Sequence, residues 1–181
     1  MSVHGFRRTA TGRIVLRVDA VEKGLLVTLL EQLADFVAPE DLDDEDPLVA
    51  MVGLDPDAVR PEDPALARLL PDAYLDDDAA AAQFRRFTER SLRETKLAHT
   101  QTALETLRRS GEKVTLGSDE AGAWLGALND VRLALGTRLG VTEEGMEELA
   151  SLPDDDPRAA TFHIYDWLTY LQETLVRALM P

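Results

Sequence analysis

SDEAGAWLGALNDVRLALGTRL, residues 118–139, spaces its apolar side chains for one helical face: Ala121, Trp124, Leu125, Leu128, Val131, Leu135 and Leu139. At about 100° per residue these positions fall on a single stripe, the signature of an amphipathic helix with one buried side. A helix this long and regular predicts a mainly α architecture, a multi-helix bundle. One member of the stripe is out of character. With Leu128 taken as zero, Arg132 lies about 40° away, inside the apolar face. A guanidinium there must meet a carboxylate or carbonyls, because an unpaired buried charge is costly. Arg132 is therefore expected to be mostly buried in a structural ion pair, with contact to an anion or ligand as the alternative.

Towards the N-terminus, GFRRTATGRIVLRVD (residues 5–19) alternates Ile14 and Leu16 with polar neighbours around a TATG turn. That pattern predicts a small N-terminal β-hairpin at about 5–18, with strands near 5–9 and 13–18. A two-stranded ribbon needs covering, and KVTL at 113–116 is the candidate third strand. Asp19 and Glu22 form a capping box that opens a helix at about 19–37, striped by Leu25, Leu26, Leu29, Leu33, Phe36 and Val37. PEDLDDEDP, residues 39–47, reads as a solvated acidic loop, with docking of a basic partner as its alternative. Asp-Pro steps at Asp46, Asp55 and Asp63 place helix starts, predicting short helices at about 47–53 and 64–70. These aspartates lack the alternating ligands, central glycine and terminal glutamate of an EF-hand, so calcium is not expected.

The longest predicted helix runs from about 78 to 110, with Gly111 as its stop. Its apolar positions do not share a face. Phe84, Phe87 and Ala98 fall on one side, and Leu97, Leu104 and Leu107 nearly opposite. Either the helix bends between about 91 and 96 or its two halves bury against different partners; the second is expected, with Leu97, Leu104 and Leu107 supplying a homodimer interface. The same helix carries the chain's one concentrated basic stripe, Arg86, Arg90 and Arg93, beside Arg85 and Lys96. The stripe reads either as a solvated face pairing with Glu89, Glu94 and the acidic loops, or as the contact surface for an acidic partner or nucleic acid.

On the C-terminal side, ALGTRLGVTEEGMEELA (residues 134–150) has helix-turn-helix spacing. Gly140 takes the turn, the small Gly136 lies four before it, Thr142 caps a second helix at about 143–151, and Met146 and Leu149 fill its core positions. A DNA reader carries its base contacts on that second helix. Here it would present Glu143, Glu144, Glu147 and Glu148, and four acids without adjacent cations oppose a groove flanked by phosphates. The final helix, about 157–180, starts from an Asp-Pro cap. It is striped by Ile164, Trp167, Leu168, Leu171, Leu175, Ala178 and Leu179 and widened by Phe162, Tyr165 and Tyr170.

The chain has 181 residues, 45% of them hydrophobic, which suits one helical domain over 1–181. No apolar leader or membrane-length run is present, so a cytoplasmic protein is expected. Thirty-four acidic against 19 basic residues give a net charge of −15, a field that disfavours approach to a phosphate backbone. Cysteine is absent, which removes disulfides, thiolate nucleophiles and thiol redox sensing. Phosphate-cradling loops, G-x-S-x-G and H-E-x-x-H are missing. The histidines, His4, His99 and His163, lie far apart, and the spacing of His163 and Asp166 suits a surface helix contact better than a metal site. No catalytic residue, metal or cofactor is expected.

Four long segments carry a family resemblance: DPALARLLPDAY (63–74), QFRRFTERSLRETK (83–96), LNDVRLALGTRLGV (128–141) and YDWLTYLQETLVRAL (165–179). They resemble an actinobacterial family long carried as a domain of unknown function and now named for the oxidative stress regulator AosR, over nearly the whole chain. The resemblance implies a cytoplasmic protein linked to transcriptional control of redox homeostasis. It also implies an encoding region shared with a Clp protease adaptor and cysteine-biosynthesis functions. It transfers no catalytic residue. A chain without cysteine cannot sense oxidant through a disulfide, which leaves methionine oxidation at Met51, Met146 or Met180 as the available sulfur chemistry. The expected function is a non-enzymatic regulator acting through a protein partner such as RNA polymerase or a sigma factor, with no sequence-specific DNA affinity of its own. The alternatives are an adaptor or scaffold in Clp proteolysis or sulfur metabolism, and a small-ligand-binding or enzymatic helical domain with Arg132 in a pocket.

Overall fold

A computed structural model describes residues 5–39, 58–153 and 155–180. Nearly all of the expected acidic loop at 39–47, the expected helix at 47–53, His4 and Met51 lie outside the described residues.

The TATG turn closes as read: Gly12 stands at φ +79°, and its N–H donates to the Thr9 carbonyl at 2.9 Å. It joins β1 (Arg7–Arg8) to β2 (Ile14–Arg17) in antiparallel register, Arg8 facing Ile14. The paired strands are shorter than expected because the chain before Arg7 turns to the last helix, where the Phe6 N–H donates to Thr174 Oγ1 at 3.0 Å. KVTL is the third strand, β3 (Lys113–Leu116), pairing Ile14 with Leu116 and Leu16 with Val114. All four of these side chains are buried, so the sheet presents one apolar face to the helices.

The Asp19–Glu22 capping box forms in both directions and opens α1 (Ala20–Val37). Asp63 caps α2 (Pro64–Leu69), and Asp77 caps the long α3 (Asp78–Arg109). α3 ends at an extended Ser110, whose carbonyl accepts from Lys23 Nζ at 2.6 Å, so a cation from α1 does the capping expected of Gly111. α4 (Ser118–Leu139) matches its predicted span, with Ser118 as its first residue and the Glu120 side chain accepting from the Gly117 N–H at 2.8 Å. Short α5 (Met146–Ala150) and the Asp156-capped α6 (Pro157–Leu179) complete the chain.

α4 is the centre of the bundle, packing on α1, α2, α3 and α6. Its Trp124 is fully buried against the edge of Phe6, with ring centroids 5.5 Å apart, and its Nε1–H donates to Thr106 Oγ1 at 2.7 Å. That bond supplies the indole with the partner it needs away from water. The molecule is mainly α with a small antiparallel sheet at its N-terminal side.

The two halves of α3 do bury against different surroundings, but in the opposite sense from the expectation. Leu104 and Leu107 lie in the protomer's own core with Ala103, and Leu97 packs against it. The face formed by Leu97, Leu104 and Leu107 is therefore filled within the protomer and is not available as a dimer interface. A helical wheel identifies an apolar face but not its neighbour; here the neighbours are α1 and α4. Phe84 and Phe87, on the other side, are left 45% and 54% exposed.

Candidate functional site

On the N-terminal half of α3, side chains one turn apart share carboxylates. Arg85 is buried, bonded through Nη1 to Glu89 and through Nη2 to Asp72 at 2.7 Å and the Leu70 carbonyl at 3.0 Å. Arg93 reaches the other Glu89 oxygen at 2.8 Å and the Ala38 carbonyl at 3.3 Å, tying the end of α1 to the network. Burial alone would lower the Arg85 pKa; the bonds to Asp72 and Glu89 outweigh it and hold the value above the ordinary guanidinium range. The expected basic stripe thus divides three ways. Arg93 belongs to the buried network, Arg90 stands 3.5 Å from Glu94, and Arg86 is exposed. Pairing with Glu89 and Glu94, one of the two readings of the stripe, is what Arg93 and Arg90 do.

Phe84 and Leu92 flank this network at the surface, with Tyr74 meeting Phe84 edge to face at 6.1 Å, and Phe87 is exposed further round the helix. Large apolar groups left in solvent on one half of a helix, with Arg86 exposed on the same half, mark a candidate contact surface.

The second candidate surrounds Arg132. Its guanidinium is half-buried, and no carboxylate among the described residues pairs with it. In place of the expected ion pair, Nε donates to Thr169 Oγ1 at 2.9 Å, Nη1 to Gln172 Oε1, and the Tyr165 ring lies beneath at 5.3 Å with its hydroxyl 3.5 Å from Nη2. Neutral acceptors and a ring face hold the charge in place without cancelling it. Beside it opens a pocket of about 410 Å³, lined by Arg68, Arg132, Thr137, Gly140, Thr142 and Tyr165. Sequence reading picked out Arg132 but missed its holders. Their signal was present: Tyr165, Thr169 and Gln172 follow i, i+4, i+7 along α6, a polar line on an otherwise apolar helix.

The helix-turn-helix spacing becomes a turn of that general shape. Gly140 adopts φ +67° at the end of α4, and Gly136 lies under Tyr165, where an added Cβ would stand 3.2 Å from the ring. Thr142 Oγ1 accepts from the Gly145 N–H at 3.0 Å, while the regular helix begins only at Met146. The expected helix at 143–151 is reduced to five residues, and Glu143, Glu144, Glu147 and Glu148 are all exposed. His163 and Asp166 are exposed as well, and no group of three metal-ligating side chains gathers among the described residues. Nor, among those residues, is any helix long and apolar enough to cross a membrane.

Compared with known families, residues 3–179 match DUF2017, a domain of unknown function. Proteins described as oxidative stress regulator AosR from Mycobacterium tuberculosis (strain H37Rv) and Mycobacterium bovis are 41% identical over 68% of the chain. A relative from Mycobacterium leprae is 39% identical over the same share. The chain spans 61% of the length of these curated relatives. No solved structure matches.

Proposed function

The chain belongs to the DUF2017 family, and from that premise we propose that it is a non-enzymatic cytoplasmic regulator of the oxidative stress response, working through a protein partner such as RNA polymerase or a sigma factor. Relatives described as oxidative stress regulators support the setting. The observation that carries the mechanism is the placement of Glu143, Glu144, Glu147 and Glu148. They are exposed around a five-residue helix, where a DNA reader would need donors and cations. The partner surface in this reading is the Phe84, Phe87 and Leu92 patch with Arg86 and Arg90 at its border. Self-association, if the chain pairs with itself, uses a surface other than the buried Leu104 and Leu107.

The test is a promoter titration at two salt concentrations, with polymerase and sigma factor first absent and then present. Binding is expected only with a partner, and Phe84→Glu with Phe87→Glu is expected to abolish it without lowering the melting temperature. Tight specific DNA binding by the protein alone, weakened when Arg86, Arg90 and Arg93 become alanine, would overturn this reading.

A further inference from the structure

We propose that the pocket between α2, the end of α4 and α6 is a binding site for a small molecule bearing an oxyanion, a phosphate or carboxylate group, held between Arg68 and Arg132. The argument begins with charge. The chain carries −15 overall, and the half-buried arginines of α3, Arg90 and Arg93, stand beside Glu94 and Glu89. Arg132 is held differently. Its contacts are two neutral oxygens and a tyrosine, and among the described residues neither it nor Arg68 has a carboxylate partner. A half-buried guanidinium that is positioned but not neutralised is short of a counter-charge.

The geometry indicates what that counter-charge is. Thr169 and Gln172 occupy the Nε and Nη1 donors on the α6 side, leaving the Nη2 edge with only the long Tyr165 contact. The fork is thereby fixed in direction with donors to spare, the arrangement that recognises a carboxylate or phosphate oxygen. Arg68 on α2 supplies a second, exposed cation across the opening. Thr142 Oγ1 accepts from Gly145, so its own proton is free to donate. Among the described residues no acidic side chain lines the pocket, and Leu133 and Val141 give it an apolar wall. A volume of about 410 Å³ suits a small metabolite rather than a macromolecule. The net charge of −15 opposes loose anion binding, which makes a saturable site readable.

Isotope-labelled protein titrated with sodium phosphate, pyrophosphate and succinate, each against sodium chloride of equal ionic strength, tests this. Saturable amide shifts confined to residues around Gly140 to Thr142, with a raised melting temperature, are expected from at least one probe. Pyrophosphate alone assigns a phosphate ligand, succinate alone a carboxylate, and both the shared group. Arg68→Gln, an exposed change that leaves the fold intact, is expected to weaken binding about tenfold. Arg132→Lys keeps the charge but loses the fork, and is expected to weaken binding further. The proposal is overturned if none of the probes saturates, if chloride produces the same shifts, or if Arg68→Gln binds as well as the parent chain.

Discussion

Removing the Arg85 guanidinium would leave Asp72 and Glu89 with less than their full charge compensation in a largely dry site. Glu89 would keep Arg93, and Asp72 would keep the exposed Arg60 at 3.4 Å, so the cost falls at the lower end of the range for a broken buried pair. Arg85→Ala is expected to destabilise the fold by about 3 kcal/mol. For a chain of this size that corresponds to a drop in melting midpoint of about 6–12 °C. Calorimetry showing a change under about 1 °C would remove the network from the fold's supports. The side-chain partners were the least legible part of the sequence. Wheel geometry marked Arg132 for burial correctly in kind but supplied it with a carboxylate, because its true holders come from α6, far along the chain. Arg85 was read only as a neighbour of the basic stripe, because Phe84 and Phe87 beside it advertise an apolar face, which stayed in solvent.

Two glycines of α4 separate intrinsic helix propensity from packing. Gly122 is exposed with nothing within 4 Å of an added Cβ, whereas at Gly126 that carbon would stand 2.5 Å from His99 Nδ1 on α3. Gly122→Ala is therefore expected to stabilise the protein by up to about 1 kcal/mol, the propensity difference alone. Gly126→Ala gains the same propensity but forces His99 aside, and a net loss of roughly 1–2 kcal/mol is expected. Urea denaturation of both variants checks the pair. A stabilised Gly126→Ala would mean that the α3–α4 seam yields more easily than its contacts suggest. At this scale much of the sequence was readable, because the determinants are local. The Asp19–Glu22 capping box, the Asp-Pro starts at Asp63 and Asp156 and the turn at Gly12 fixed where elements begin. Two places that resisted are set by distant partners, the edge of β1, drawn off by Thr174, and the end of α3, capped by Lys23; at α5 a local turn held by the Thr142 bond takes up the expected first turn.

Over the whole molecule the excess of acidic groups opposes compaction. Exposed pairs such as Arg108–Glu31 and Arg177–Glu173 offset that only slightly, since surface ion pairs contribute about 0–1 kcal/mol each. Salt weakens both, but it screens the net repulsion of a −15 chain over more of the surface than it weakens these few contacts. The melting midpoint is expected to rise by a few degrees between low salt and about 0.3 M sodium chloride, where the screening length is roughly 5–6 Å. A midpoint that falls would show that paired charges, rather than the excess, govern stability. The mainly α class and the order of elements were legible at this scale because helical periodicity is strong and the third strand alternates plainly. The site was legible only in fragments, since a pocket depends on which helix ends meet.

The pairing of β2 with β3 has a kinetic consequence. The hairpin from β1 to β2 closes over a handful of residues, but Ile14 and Leu116 meet only after roughly 100 residues of intervening chain have been gathered. Closing a loop of that length costs about 4 kcal/mol in chain entropy, against less than half as much for the hairpin. The β2–β3 ladder is therefore expected to complete late, once α1 and α3 lie alongside each other and bring its ends together. The sheet, the smallest part of the architecture, thus adds contacts of long sequence separation, which raise contact order and are expected to slow folding.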